Sequence, residues 1–400
     1  MSTPSMRVDV IVVGAGPVGL TTAWRLNRAG IPVCVVEALA GPQEDLRAST
    51  FHPPTLEMLD EGGITAELLA QGMIAPDFQV RLHATGEYAR FDLGELADET
   101  SHPYRLQCEQ SKLVRVLVER LRGCGVPVLW SHSAETFEQD ASGVRLRCAT
   151  PMGTVELQAA YLIGADGARS VVRKHLGLTF EGETFPETTI LATTVFPFEQ
   201  HLPGLSAINY CWGESGAFSL LRLPNVWRVS LYADEGESVE AAMEPEAVER
   251  KLQHICASAS PYPVGEVRAY RIHQRVVNSY RVGRVMLAGD AAHINSPSGG
   301  MGMNGGIHDA FNLSDTLAQV LRGAPDDLLD RYQRQRRPVA LEHVLAQSGR
   351  NRARMQQRDP QQRLRSLREL QAIAADPVRA KAHMLATSMI DGLRRSREIA

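Results

Sequence analysis

Residues 8–37 most limit how this chain can fold. Val8 to Val13 is an almost unbroken apolar run, the pattern of a strand buried on both faces. Gly14-Ala15-Gly16-Pro17-Val18-Gly19 follows, and Leu20 to Arg28 then reads as a helix. Ile31 to Val36 is a second buried strand, and Glu37 ends it. Glycines placed this way permit a tight turn and close approach of the backbone to a pyrophosphate. The N–H groups that open the following helix point at the phosphates. A carboxylate at the end of the second strand accepts hydrogen bonds from ribose hydroxyls, which favours an adenine dinucleotide without a 2′-phosphate. A glycine turn in an unrelated α/β protein would have to reproduce strand, glycines, helix, strand and acid in this order.

Two further blocks lie far along the chain. Tyr161 to Ala165 reads as a short buried strand and runs into Gly164-Ala165-Asp166-Gly167-Ala168-Arg169-Ser170. Val282 to Ala288 reads as another and runs into Gly289-Asp290-Ala291-Ala292-His293. The run Pro297 to Gly306 then opens a helix, whose first N–H groups can stabilise negative charge. Asp290 is expected at the end of a buried strand, where an unpaired carboxylate is costly and a ligand contact would account for it. Asp166 has an alternative reading as a local cap of a simple turn.

Together the three blocks resemble the single-component FAD-dependent aromatic hydroxylases, the family of para-hydroxybenzoate hydroxylase. The resemblance implies an α/β fold: a Rossmann-like FAD-binding domain, an inserted and mostly antiparallel β-sheet substrate domain, and a helical C-terminus. It implies that Gly14, Gly16 and Gly19 contact the pyrophosphate of FAD and Glu37 its ribose. Arg47 matches the arginine after the second strand that reaches the cofactor. Gln110 matches the residue at the start of a long helix that contacts the ribityl-phosphate region. Gln107 competes with it, and Leu113 and Leu117 favour Gln110 by their helical spacing. Asp166, Asp290, Pro297, Gly302, Met303 and Asn304 complete the expected cofactor set. The backbone carbonyl near Pro297 is expected beside the reacting ring. His52 and Tyr210 are the candidates for catalytic proton transfer. Tyr210, Trp212, Ser219 and Arg222 are the candidates for substrate contact.

The implied reaction is hydroxylation of a small phenolic or heteroaromatic substrate with O2, through a flavin C4a-hydroperoxide. NADH or NADPH would be a transient co-substrate, because no second GxGxxG follows a buried strand. Baeyer–Villiger insertion or epoxidation of a polyketide-like molecule is the nearest alternative. A non-catalytic FAD-binding protein is the alternative of another class, and the intact Pro297 to Asn304 run argues against it.

The rest of the sequence is consistent with this reading. Four hundred residues suffice for more than one domain. A formal net charge of −4 gives no reason to expect nucleic acid as a partner. No apolar stretch is long enough for a membrane span, and no signal peptide precedes Val8. Cys34, Cys108, Cys124, Cys148, Cys211 and Cys256 are scattered singly, as reduced thiols of a cytoplasmic protein would be. No metal-ligand cluster is visible.

The expected FAD-binding domain is discontinuous, comprising residues 1–75, 104–184 and 271–345. The expected substrate domain comprises 76–103 and 185–270, and C-terminal helices occupy 346–400. Residues 322–400 carry 17 basic and 9 acidic side chains, with an apolar stripe of Leu364, Leu367, Leu370 and Ile373. A helical cap with a solvated basic face is the favoured reading of this tail. A homodimer contact is the sharper alternative and a weak anionic-membrane contact a third, so a monomer or homodimer is expected.

Overall fold

The computed structural model describes residues 6–44, 48–214, 216–234 and 236–400. Strand β1 spans Met6–Val13, helix α1 Pro17–Arg28 and strand β2 Val33–Val36. Pro17 occupies the start of α1, where a missing N–H breaks no helical bond. All four residues of β2 are buried, which explains why its sequence shows no polar alternation.

β1 pairs in parallel with β2 on one side and with Gly153–Gly164 on the other. Gly153–Gly164 pairs in parallel with Val285–Leu287. The three glycine-bearing blocks therefore leave the C-terminal ends of three neighbouring strands, with Glu37 at the end of a fourth. This edge is where open parallel sheets bind ligands. The expected strand Val282 to Ala288 is shorter, because Arg281–Val282 and Val285–Leu287 form a hairpin about Gly283 at φ +60°. The expected hairpin about residues 151–153 is present, and Gly143–Thr150 lies antiparallel to the long strand.

A second sheet has eight strands, and its central five are Val264–Val277, Phe180–Thr194, Trp227–Tyr232, Ala217–Arg222 and Ile208–Trp212. These pair antiparallel, whereas Asp77–Leu82 joins Ile208–Trp212 in parallel. Along Trp227–Tyr232 the side chains alternate. Trp227, Val229 and Leu231 enter an apolar cluster with Phe198, Val248, Leu252 and Ile255 under helix Pro245–Ile255. Arg228 takes the other face, and its Nη1 donates to Ser49 Oγ at 2.9 Å. That face therefore looks at the segment leading out of the dinucleotide-binding part.

Leu367 and Leu370 of helix Pro360–Ala374 pack with Phe78, Val80 and Phe91 of this sheet, while Arg365 and Arg368 are exposed. The apolar stripe of the tail is thus turned to the core and Arg365 and Arg368 are solvated, whereas Arg336 and Arg363 of the tail are buried. Asp330–Val339, the π-turn Ala340–Leu345 and Ala346–Met355 follow one another without a break. Pro338 cannot donate a helical hydrogen bond, and a widened turn accommodates the register change that follows. Among the described residues no helix is long and apolar enough to cross a membrane.

Candidate active site

Close backbone approach locks the three blocks together. Gly14 has φ +106°, and a Cβ there would lie 2.4 Å from the Ala165 carbonyl oxygen of the second block. A Cβ on Gly19 would lie 1.9 Å from the Gly14 carbonyl oxygen. The side chain of Val18 fills the space between the first and third blocks. A Cβ on Gly289 would meet its Cγ2 at 2.8 Å, and one on Gly306 at 2.5 Å. Gly16 differs, because nothing stands within 4 Å of a Cβ there. The turn is packed behind and open in front. Gly16 and Met301 also leave the helices that follow them without a side-chain cap. Their backbone N–H groups are thus directed at the open edge, as phosphates and an electron-rich ring require. The residues present fit an extended dinucleotide such as FAD.

The side chains named from sequence occupy differing situations. Glu37 accepts from Ala15 N at 2.7 Å and from Leu39 N at 3.0 Å, so it braces the phosphate turn. Asp166 accepts from Ser170 Oγ at 2.5 Å, Val171 N at 2.7 Å and Val172 N at 3.2 Å, the bonds of a local cap. Burial pushes its carboxyl above the ordinary range despite those bonds. Asp290 is exposed, contrary to the expected buried strand end. Gly289, at φ +61°, starts a 3₁₀ turn that carries Asp290 out of the sheet. Gln110 is half-buried at the start of helix Gln110–Gly123. Gln107 is fully buried, with its Oε1 accepting from Thr50 Oγ1 at 3.2 Å and its Nε2 without a partner. Arg47 lies outside the described residues.

The glycine run is anchored from beneath. Asn304 Nδ2 donates to Thr50 O and Gly300 O, both at 2.8 Å, and its Oδ1 accepts from His52 N at 2.9 Å. Its amide is thereby committed to joining the run to residues 50–52. His52 Nε2 lies 2.9 Å from the Gly299 carbonyl, so that nitrogen carries the proton. Its Nδ1 is buried without a partner. Burial, assisted by the Arg105 charge, holds His52 well below the ordinary histidine range and therefore neutral. Pro297 is exposed, and Gly302 and Met303 are half-buried.

Of the substrate candidates, Tyr210 and Ser219 are cross-strand partners, as are Trp212 and Ala217. Tyr210, Trp212 and Ser219 therefore share the face that carries Arg228. Trp212 donates Nε1–H to the Arg354 carbonyl at 2.9 Å. Arg222 does not join them. It sits three positions from Ser219, on the opposite face, beside Glu199 at 3.5 Å and over the Trp227 ring at 5.3 Å.

A buried ionic cluster under the third block was not foreseen. Asp309 has no exposed surface. It accepts from Gly289 N at 3.1 Å, His293 Nε2 at 2.7 Å and Arg336 Nε at 2.7 Å. Arg336 Nη2 also donates to the Gly305 carbonyl at 3.2 Å. Burial works to raise the Asp309 carboxyl, but His293 and Arg336 outweigh it and hold it down at about 2. The one sequence signal was an acid set among the apolar positions Ile307, Ala310 and Phe311 of helix Gly302–Leu321. Nothing in the spacing connects Asp309 with Arg336.

Two buried histidines, His52 and His308, and the half-buried His383 give a pH prediction. Burial lowers His308 to about 3 and His383 to about 4, and His52 is lowered as well. Each is neutral in the folded chain and titrates near 6.5 when unfolded. Their contribution to stability is complete above about pH 6.5 and is lost as pH falls toward the folded values. Each should add a slope of about 1.4 kcal/mol per pH unit below that point. Urea midpoints between pH 7 and 4 test this, and His308→Gln should flatten the profile. An unchanged slope in that variant would mean that His308 is not buried neutral.

Comparison with known proteins agrees with this geometry. Residues 7–347 match the family described as FAD binding domain. The chain is 35% identical over 392 residues to para-nitrophenol 4-monooxygenase of a Pseudomonas species, strain WBC-3, covering 96% of each. It is 35% identical over 343 residues to 6-hydroxy-3-succinoylpyridine 3-monooxygenase of Pseudomonas putida, covering 85% of this chain and 87% of that one. The crystal structure of p-nitrophenol 4-monooxygenase from Pseudomonas putida DLL-E4 matches with a TM-score of 0.90 at 33% identity, covering 97% of this chain and 98% of that one. With three motifs on one sheet edge and relatives matched almost end to end, the chain belongs to the single-component FAD-dependent aromatic monooxygenases.

Proposed function

We propose that this enzyme hydroxylates a small phenolic or heteroaromatic substrate, using O2 and NADH or NADPH. The carrying observation is the meeting of two surfaces at residues 49–52. Ser49 binds Arg228 of the substrate sheet, and His52 binds Gly299 of the glycine run. The sheet face with Tyr210 and Ser219 thus lies toward the end of the site where a flavin ring would rest. When bound, reduced FAD would activate dioxygen and supply the oxygen atom for the ring.

The chain's own task is to seat the ring, exclude water and place donors. The uncapped N-terminus at Gly302 offers backbone N–H groups to a negatively charged ring edge. Asn304 keeps that N-terminus in register with residues 50–52, and neutral His52 holds the Gly299 carbonyl. His52 Nδ1, the unprotonated nitrogen, is a candidate hydrogen-bond acceptor for a substrate hydroxyl that keeps its proton. The names of the relatives support a phenol or hydroxypyridine as substrate class. The test is NADH and NADPH oxidation by the FAD-loaded enzyme across phenols and hydroxylated heterocycles, with product and peroxide measured together. Oxidation that yields peroxide alone with every compound would defeat the proposal.

Gly302→Leu separates binding from coupling. A Cβ at Gly302 would meet only the flexible end of Asn295, at 2.9 Å from Oδ1, so the fold should tolerate the change. The longer side chain should intrude at the ring edge and admit water. FAD should still bind, while the ratio of product to NAD(P)H consumed falls about tenfold and peroxide replaces product. Wild-type coupling in that variant would place the ring elsewhere.

A further inference from the structure

The C-terminal helices reach the glycine run through Asn351. On helix Ala346–Met355, its Nδ2 donates to the Ser298 carbonyl at 3.3 Å. Its Oδ1 accepts from Gln347 Nε2 at 3.0 Å, and Gln347 Oε1 accepts from Arg350 Nη2 at 2.5 Å. Gln347 is buried and lies four positions before Asn351 and three before Arg350, so the three side chains are neighbours on the helix surface. The run comes close to this face. Gly299 has φ +105°, and a Cβ there would lie 2.9 Å from Asn351 Nδ2. Glycine at 299 leaves room for the amide.

The direction of every bond in this chain is set from its charged end. A guanidinium has donors and no acceptor, so Arg350 draws the Gln347 carbonyl oxygen toward itself. The Gln347 amide nitrogen is then turned to Asn351, whose oxygen must face it. The Asn351 nitrogen is left for Ser298. An isolated amide can present either end, whereas here each orientation follows from the one before it. The π-turn Ala340–Leu345 rotates the helix after it by about 100° relative to an uninterrupted one, and so decides which face meets the run. From the other side, His52 Nε2 donates to the next carbonyl, that of Gly299. Two successive carbonyls of the run are therefore tied down by side chains from distant parts of the sequence. A carbonyl freed from its donor could turn its negative end toward the ring. There it would oppose the charge that the N–H groups of the run favour.

We infer that Asn351 is a positioning residue for the flavin site: oriented through Gln347 by Arg350, it holds the Ser298 carbonyl back from the ring and so favours the reduced, negatively charged cofactor. The inference rests on the placement of the ring at the glycine run in the reading above, and not on which substrate is hydroxylated. It gives one face of the basic C-terminal helices a part in the chemistry. Leucine at 351 could fill the same space. An amide whose direction is dictated by two further side chains is needed where the direction of one bond matters.

The experiment measures the midpoint potential and the dissociation constant of bound FAD in Asn351→Ala, Gln347→Glu and the double variant. Asn351→Ala removes the donor. Reduced FAD should lose about three- to tenfold in affinity relative to oxidised FAD, read as a lower midpoint potential, while oxidised FAD changes by about twofold or less. Gln347 lies one side chain away from the run. The carboxylate introduced by Gln347→Glu accepts from both Arg350 and Asn351 Nδ2, which turns the Asn351 oxygen to Ser298 and should lower the potential at least as far. In the double variant Gln347→Glu should add nothing to Asn351→Ala. A charge acting through space would still shift the potential there, and such a shift overturns the inference. So does a wild-type potential in either single variant. Asn351→Leu, which keeps the size of the amide, replaces Asn351→Ala if that variant does not fold. None of these measurements uses a substrate. An enzyme that shows these shifts but hydroxylates no phenol or heterocycle defeats the hydroxylase reading alone.

Discussion

Asp309→Ala should destabilise the protein by about 3–5 kcal/mol, the usual cost of breaking a buried ion pair from one side. Three donors lose their acceptor at once: Gly289 N, His293 Nε2 and Arg336 Nε. The Arg336 guanidinium is then a buried charge held by one carbonyl, that of Gly305. The damage is also local to function. Gly289 N–H lies at the start of the turn that presents Asp290, and Gly305 lies in the first turn of the helix that follows the glycine run. FAD affinity should fall together with stability. Asp309→Asn keeps the shape and loses the charge, so it should fall between wild type and Asp309→Ala. Urea unfolding of the apoprotein and FAD titration of the same variants measure both effects. An Asp309→Ala protein with wild-type midpoint and wild-type FAD affinity would show that the cluster neither stabilises the fold nor positions the third block.

Gly14→Val should abolish FAD binding. The residue needs φ +106°, which L side chains rarely adopt, and its Cβ would stand 2.4 Å from the Ala165 carbonyl oxygen. The nearest atoms are the backbone of Ala165 and Asp166, directly after the strand that ends at Gly164, so no rotamer change relieves the overlap. The strand ends must separate, and that separation opens the phosphate turn. We expect a loss of FAD affinity of about 100-fold or more, equivalent to about 3 kcal/mol. Gly16→Ala is the matched control, because a Cβ there has nothing within 4 Å and should disturb the fold least. It should keep its secondary structure and weaken FAD by occupying the approach to the turn. Circular dichroism and flavin fluorescence distinguish the two. Stoichiometric FAD at normal affinity in Gly14→Val would remove the first block from the cofactor site.

The sequence by itself determined the elements whose signal is local. The run Val8 to Val13, the glycines after it and the helix from Pro17 are readable because a buried strand and a phosphate turn each demand particular residues at adjacent positions. The apolar stripe of the tail was equally local. The order of the three blocks was enough to indicate the family.

What tertiary structure decided was direction and partnership. Strand alternation tells which residues share a face but not which face meets the cofactor domain, so Arg222 was grouped with Tyr210 until register placed it opposite. Asp290 was assigned to a buried strand end because periodicity cannot see the turn at Gly289 that carries it outward. Arg105, Arg228 and the Asp309–His293–Arg336 cluster had no sequence signature. A charged residue in a strand or helix reads as surface until folding buries it. What makes such a charge tolerable is a group far away in the chain, which only the assembled core brings within reach.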